Sequence, residues 1–251
     1  MALTTPTTAA PAVPSDPYFE KIVTVVLATF TVFTGFTINK AIVSVGDHIK
    51  LPDVKDGSFF GPLCRLAVSV SSTIEFWALV ALLALLLRYV MGSAIHLNDT
   101  YVKRLGNPPQ PALSKSTLLL FKDLGFLVIF GIVVLMIAKP LTPPTPPVTP
   151  PPAFDFPAFV FGCELFLLCG FLWSVVDLIW RFVLSGWRAT EWPGLSAYLF
   201  WMPLDIVQWL ITYGVAQWSA SDFARMLCLA LLYCGFLIAD IGMLLKSLRA
   251  R

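Results

Sequence analysis

Six stretches of this chain run for about twenty residues or more with scarcely a charge, and a run of that length has few folded destinations. They are Ile22–Val45, Leu66–Val90, Leu118–Ile137, Phe159–Val183, Tyr198–Ala216 and Met226–Leu245. A bilayer core about 30 Å thick is crossed by roughly 20 apolar residues in a helix. Lipid offers no partner to an open backbone, so a spanning segment must satisfy its own hydrogen bonds. Soluble domains carry about 25% charged residues. This chain carries 13%, against 57% hydrophobic, and the apolar residues lie in blocks. The expected fold class is all-α, a polytopic membrane helix bundle of about six transmembrane helices. Pro203, Asp205 and Gln208 interrupt the fifth run, which predicts either a kinked span or a re-entrant segment held by protein neighbours.

The flanks complete the domain plan. Residues 1–20 contain no Lys or Arg, and the run after them is longer than a signal-peptide core. Residues 1–20, rich in Thr, Pro and Ala over Met1–Pro17, read as a disordered cytoplasmic tail, and residues 21–251 read as a single transmembrane domain. With the N-terminus in the cytoplasm, the inner side holds eleven Lys and Arg residues and the outer side six. This satisfies the positive-inside bias and predicts a multi-pass protein of the cell membrane with both termini cytoplasmic. The outer loop at 140–157 contains nine prolines and reads as a stiff extended spacer. Trp187, Trp192 and Trp201 fall at the inner boundary, and Phe59, Phe60, Phe154, Phe156 and Trp218 at the outer one, as an interfacial belt does.

Two segments resemble each other. Leu85–Ser93 is LLLRYVMGS and Leu178–Gly186 is LIWRFVLSG, and each precedes a second run that opens near an acid, Asp123 or Asp205. A duplicated hairpin (helices two–three and four–five) follows as an expectation, each copy stapled by an arginine and an aspartate: Arg88 with Asp123, and Arg181 with Asp205. Asp177 lies four residues before Arg181, a pairing distance on one helix face. Asp240 lies six before Lys246, whose long stem reaches toward the interface. These charges read as inter-helix ion pairs or as a charged inner vestibule.

Acids inside a span are functional candidates by default, because a charge at mid-bilayer costs about 2.5–3.5 kcal/mol on insertion scales. Glu75 and Glu164 stand apart from the other intramembrane acids in having no cation nearby in sequence. Counted from Leu66, Glu75 falls about 14 Å along its helix, and Glu164 about 10 Å past Pro157. They are the ion- or proton-handling candidates, against a purely structural reading in which a protonated carboxyl bonds a neighbouring carbonyl. Thr24, Thr31, Thr34, Thr37 and Gly35 in span one, and Gly235 with Ala239 in span six, read as helix-packing positions. Cys163, Cys169, Cys228 and Cys234 read as small buried hydrophobes.

No catalytic motif, phosphate loop or paired histidine occurs, and the basic residues are too scattered for nucleic acid. His96, Asn98 and Asp99 read as a solvated inner loop. No enzyme activity, cofactor or metal is implied. The expected partners are the bilayer and further copies of the chain or subunits of a membrane complex. The function expected is a small channel or transporter for a cation or proton using Glu75 and Glu164. The alternatives are a membrane-embedded scaffold or signalling subunit, and a membrane-perturbing effector.

Overall fold

The computed structural model describes residues 17–48, 70–97, 113–141, 153–185 and 195–249. The α-helices whose bounds lie within the described residues are six: α1 Pro17–His48, α2 Ile74–Leu97, α3 Leu113–Ala138, α4 Phe156–Ser185, α5 Leu195–Gln217 and α6 Asp222–Arg249. A 3-10 turn, Lys139–Leu141, closes α3, and no strand occurs among the described residues. Four stretches are long and apolar enough to cross a membrane: Ile74–Leu97, Leu118–Leu141, Phe156–Trp180 and Asp222–Gly242. Residues 1–16 of the expected tail and 142–152 of the proline-rich loop lie outside the described residues. Helix α1 begins at Pro17, so the last four residues assigned to the tail are helical.

Helix α2 starts later than the apolar run suggested. The run opens at Leu66, but the chain turns at Ser72–Thr73 before Ile74. The Thr73 hydroxyl and backbone N–H both donate to the Val70 carbonyl, at 2.8 and 3.2 Å. Trp77 Nε1 donates to the Ser71 carbonyl at 2.8 Å. Hydroxyl side chains that bond their own backbone compete with helix propagation, and here they end one helical segment and let another begin. Helix α5 does the opposite and runs unbroken through Pro203, although proline removes one intrahelical hydrogen bond.

The helices form a closed ring in the order α1, α2, α6, α5, α4, α3 and back to α1. The most extensive pairings are α2 on α6, α4 on α5 and α3 on α4, whereas α5 and α6 approach each other least closely around the ring. The sequence neighbours α2 and α3 are not adjacent in the ring: α1 packs against both, and the two meet through interior side chains such as Tyr89 and Phe130. The two look-alike segments therefore sit in different surroundings. One faces α1 and α6, and the other lies on a helix packed between α3 and α5.

The ring is filled, not hollow. Tyr89 packs against Phe130, Phe30, Phe166 and Trp173, with ring centroids 3.9, 5.4, 5.4 and 5.8 Å away. Such aromatic contacts contribute about 0.5–1.5 kcal/mol each beyond burial. At Gly162 α3 and α4 come close together: a Cβ there would lie 2.8 Å from Ile137 Cγ1 and 3.2 Å from its Cα. The outward faces are apolar. Phe121, Val128, Ile132 and Leu135 stand exposed along α3, and Leu231, Ile238 and Leu245 along α6. Polar side chains inside and apolar ones outside is the arrangement lipid selects. Gly35 and Gly235 meet no neighbour within 4 Å, and Ala239 is exposed. The expected packing at Gly35, Gly235 and Ala239 is thus absent among the described residues, because they lie on the ring's outer surface. The side chain of Thr37 lies outside the described residues.

Candidate functional site

The buried charges gather into two clusters toward the C-terminal half of α2. In the first, Arg88 sits between α5 and α6. Its Nε donates to Asp240 Oδ2 at 2.6 Å, and its Nη2 lies 2.9 Å from Asp205 Oδ1. Its Nη1 donates to Gln208 Oε1. The guanidinium also lies 5.5 Å from the Trp201 ring centre and 5.9 Å from that of Phe236, within cation–π range. Arg88 and Asp240 are 9% and 4% exposed and Gln208 is fully buried, so nearly all this charge is withdrawn from solvent. A guanidinium suits the position because it offers five donors in a planar fork, enough for three acceptors on two helices.

The expected staple between Arg88 and Asp123 is therefore not formed. Arg88 lies on the side of α2 that faces α5 and α6, whereas Tyr89, the next residue, faces α3 and α4, and the acidic partners of Arg88 lie 117 and 152 residues further along the chain. The side chain of Arg181 lies outside the described residues, as does that of Lys246. Asp205, expected to pair with Arg181, is on Arg88 instead.

The second cluster joins α2, α3 and α4. Lys122 Nζ lies 2.9 Å from Asp123 Oδ1 and pairs also with Asp177. Trp173 Nε1 donates to Asp123 Oδ1 at 2.8 Å, and His96 Nε2 stands 3.6 Å from Asp123 Oδ2. His96 is no solvated loop residue. It occupies the last turn of α2 with its ring 5.1 Å from that of Trp173, edge to face; Asn98 and Asp99 lie outside the described residues. Donor atoms of His96, Asp123 and Asp177 lie within 4.8 Å of one another, a spacing that suits a metal ion. The Lys122 ammonium already sits against both carboxylates and supplies the positive charge there.

A line of polar side chains extends from the first cluster. Thr212 follows Gln208 by one turn of α5, and its hydroxyl donates to the Gln208 carbonyl at 2.8 Å. Thr212 Oγ1 and the Tyr233 hydroxyl are hydrogen-bonded at 3.0 Å. Thr212, Tyr233 and Cys163 are each at most 1% exposed.

Glu75 stands in the first turn of α2, at the end of the apolar stretch Ile74–Leu97, not near its middle. The depth inferred from Leu66 assumed one continuous helix, and the turn at Ser72–Thr73 breaks it. Glu164 is eight residues into α4, about 12 Å along it. Neither carboxylate forms an ion pair among the described residues, and no bond joins the two. Sequence reading passed over Lys122, Gln208, Thr212 and Tyr233 as site residues. Their signal was spacing: Asp205, Gln208 and Thr212 fall three and four apart, and Tyr233 precedes Asp240 by seven, which places each set on one helix face.

Comparison with protein-family models, curated proteins and solved structures finds no match to this chain. The geometry is the basis for a functional reading.

Proposed function

We propose that this chain is a small channel or transporter for a cation or proton, embedded in the cell membrane with all six helices spanning and both termini cytoplasmic. The observation that carries the reading is the Arg88 cluster. One guanidinium faces two carboxylates from two other helices, in a ring whose outer faces are apolar. A second carboxylate beyond charge balance is expensive at low dielectric, and an exchangeable cation or proton is the partner that makes it useful. The intramembrane carboxylates that handle the ion are Asp205 and Asp240, together with Glu164; Glu75 serves at the mouth of α2. Helix α5 is 23 residues long, about 34 Å, and its polar residues point into the ring, so it spans despite its lower hydropathy.

The test is ion flux into proteoliposomes containing the purified chain. We expect wild type to pass a cation or protons, and Asp240→Asn and Glu164→Gln each to slow it at least tenfold. Silent wild-type liposomes would sink the proposal. Unchanged flux in the Asp205→Asn/Asp240→Asn/Glu164→Gln variant would remove these residues from the path.

One observation favours a second reading, a scaffold or a subunit of an oligomer. Gly235 and Ala239 form a small-residue pair on the open outer face of α6, where another helix can approach closely. Cross-linking through a cysteine at Ala239, with flux absent, would support it.

A further inference from the structure

The second cluster draws on three helices at one end of the bundle. His96 is one residue from the end of the apolar stretch Ile74–Leu97, Asp123 five from the start of Leu118–Leu141, and Asp177 three from the end of Phe156–Trp180. All three therefore sit within about 8 Å of a stretch's end, where an ion arriving from solution need not cross the apolar core. Their ligand atoms lie within 4.8 Å of one another, and His96 Nε2 stands 3.6 Å from Asp123 Oδ2. That contact is longer than a hydrogen bond. Two ligands each about 2.1 Å from one ion stand roughly 3.0–3.4 Å apart, so a small shift closes the pair on a shared metal.

Two buried hydroxyls face the same interior. Tyr89, Ser93 and His96 fall four and three residues apart, on one face of α2. Ring contacts show where that face points. Tyr89 lies against Phe130 and Trp173, and His96 against Trp173, while Trp173 Nε1 donates to Asp123. Ser93, between Tyr89 and His96, is 1% exposed. Tyr89 and Ser93 are close enough to interact, yet neither hydroxyl reaches hydrogen-bond geometry with any partner among the described residues. Buried polar atoms in this state are exceptional, and an ion with its ligands is one of the things that accounts for them.

We propose that His96, Asp123 and Asp177 form a binding site for a divalent transition-metal ion, with the Lys122 ammonium as its exchangeable counterpart. One imidazole and two carboxylates suit first-row ions such as Zn²⁺, Mn²⁺ or Co²⁺, whereas Mg²⁺ and Ca²⁺ favour all-oxygen shells. Three protein ligands leave a coordination position open, and the Ser93 hydroxyl is available to it. Lys122 Nζ lies against both carboxylates, where the ion would bind, so ammonium and metal exclude each other. Lys122 is placed to give way. It is 11% exposed, near the end of its stretch, on a stem long enough to carry the ammonium to the interface. Metal in its place would tie α2 to α3 and α4 through coordinate bonds. The site stands apart from the transport reading, whose carboxylates are other residues, and metal binding is measured without flux.

The test is Co²⁺ uptake, followed by equilibrium dialysis and visible absorption, on the full chain purified in detergent without a polyhistidine tag. Wild type should bind one Co²⁺ per chain with the absorption bands of a nitrogen- and oxygen-ligated ion, displaced by Zn²⁺ but not by Mg²⁺ or Ca²⁺. His96→Gln and Asp177→Asn should each weaken binding at least tenfold, and Lys122→Met should strengthen it at least tenfold. Melting curves without metal establish that each variant is folded, and added Zn²⁺ should raise the melting temperature of wild type but not of His96→Gln. No saturable Co²⁺ binding by wild type or by Lys122→Met would overturn the site and leave Lys122 as a structural ion pair only. Binding unchanged in His96→Gln would overturn it too, by placing the metal elsewhere. Binding indifferent to Lys122→Met would overturn the exchange. Silent liposomes alongside Co²⁺ binding would end the transport reading and leave the metal site standing.

Discussion

Arg88 is the residue on which most of the buried charge depends, and its energetics are asymmetric. Removing one member of a buried ion cluster strands the others, at about 3–5 kcal/mol, whereas replacing all members together is often neutral. Arg88→Met should therefore lower the melting temperature in detergent sharply. The triple variant Arg88→Met/Asp205→Asn/Asp240→Asn should recover most of the loss. Glycines give a second contrast. At Gly162 an added methyl meets Ile137, including its backbone, so Gly162→Ala should destabilise by about 1–3 kcal/mol through overpacking. At Gly235, where nothing lies within 4 Å, Gly235→Ala should be neutral or stabilise by up to about 1 kcal/mol. Thermal melts of the two variants side by side check both. Sequence alone did not separate these glycines. Gly235 has Ala239 four residues on and Gly162 has Ala158 four residues before it, so spacing marks both, yet of the two only Gly162 meets a neighbour among the described residues.

At the level of helices, composition was legible and adjacency was not. The apolar runs located all six helices, because length and hydropathy are local properties. The start of α2 was missed by eight residues, since the hydroxyls of Ser72 and Thr73 looked like a polar strip within a span and proved to be its boundary. Pairing was harder still. The likeness of Leu85–Ser93 to Leu178–Gly186 suggested an Arg88–Asp123 contact, but the face of α2 that carries Arg88 packs toward α5 and α6, and that decides its partners. A double-mutant cycle discriminates the alternatives. Arg88 and Asp240 should couple by about 0.5–3 kcal/mol, and Arg88 and Asp123 by less than the error. Coupling of the second pair instead would disprove the ring order. The seven-residue spacing on α5 and α6 was present in the sequence throughout. It became meaningful only once α5 and α6 were seen to face each other.

The whole molecule is a ring with an aromatic centre, and that bears on what it can pass. Tyr89, Phe130, Phe166 and Trp173 occupy the middle, so a wide aqueous pore has no place there, and the proposed transport would have to pass between side chains nearer the ring's wall. Phe130 is fully buried, and Phe130→Ala should cost about 3–5 kcal/mol. If the folded fraction is reconstituted, we expect it to leak small cations that wild type excludes. A tight variant would show that the centre collapses around the missing ring.

The distance along the chain between Arg88 and Asp240 also sets an order of events during synthesis. Arg88 enters the membrane with α2, but Asp240 is made 152 residues later, about 8–30 s at ordinary elongation rates. Through that interval the nascent protein holds an arginine in lipid whose two carboxylates have yet to arrive. Helix α6 is thus the keystone of assembly as well as one wall of the ring. A polypeptide that stops at Gln217 should be short-lived in cells, and neutralising Arg88 should prolong its life.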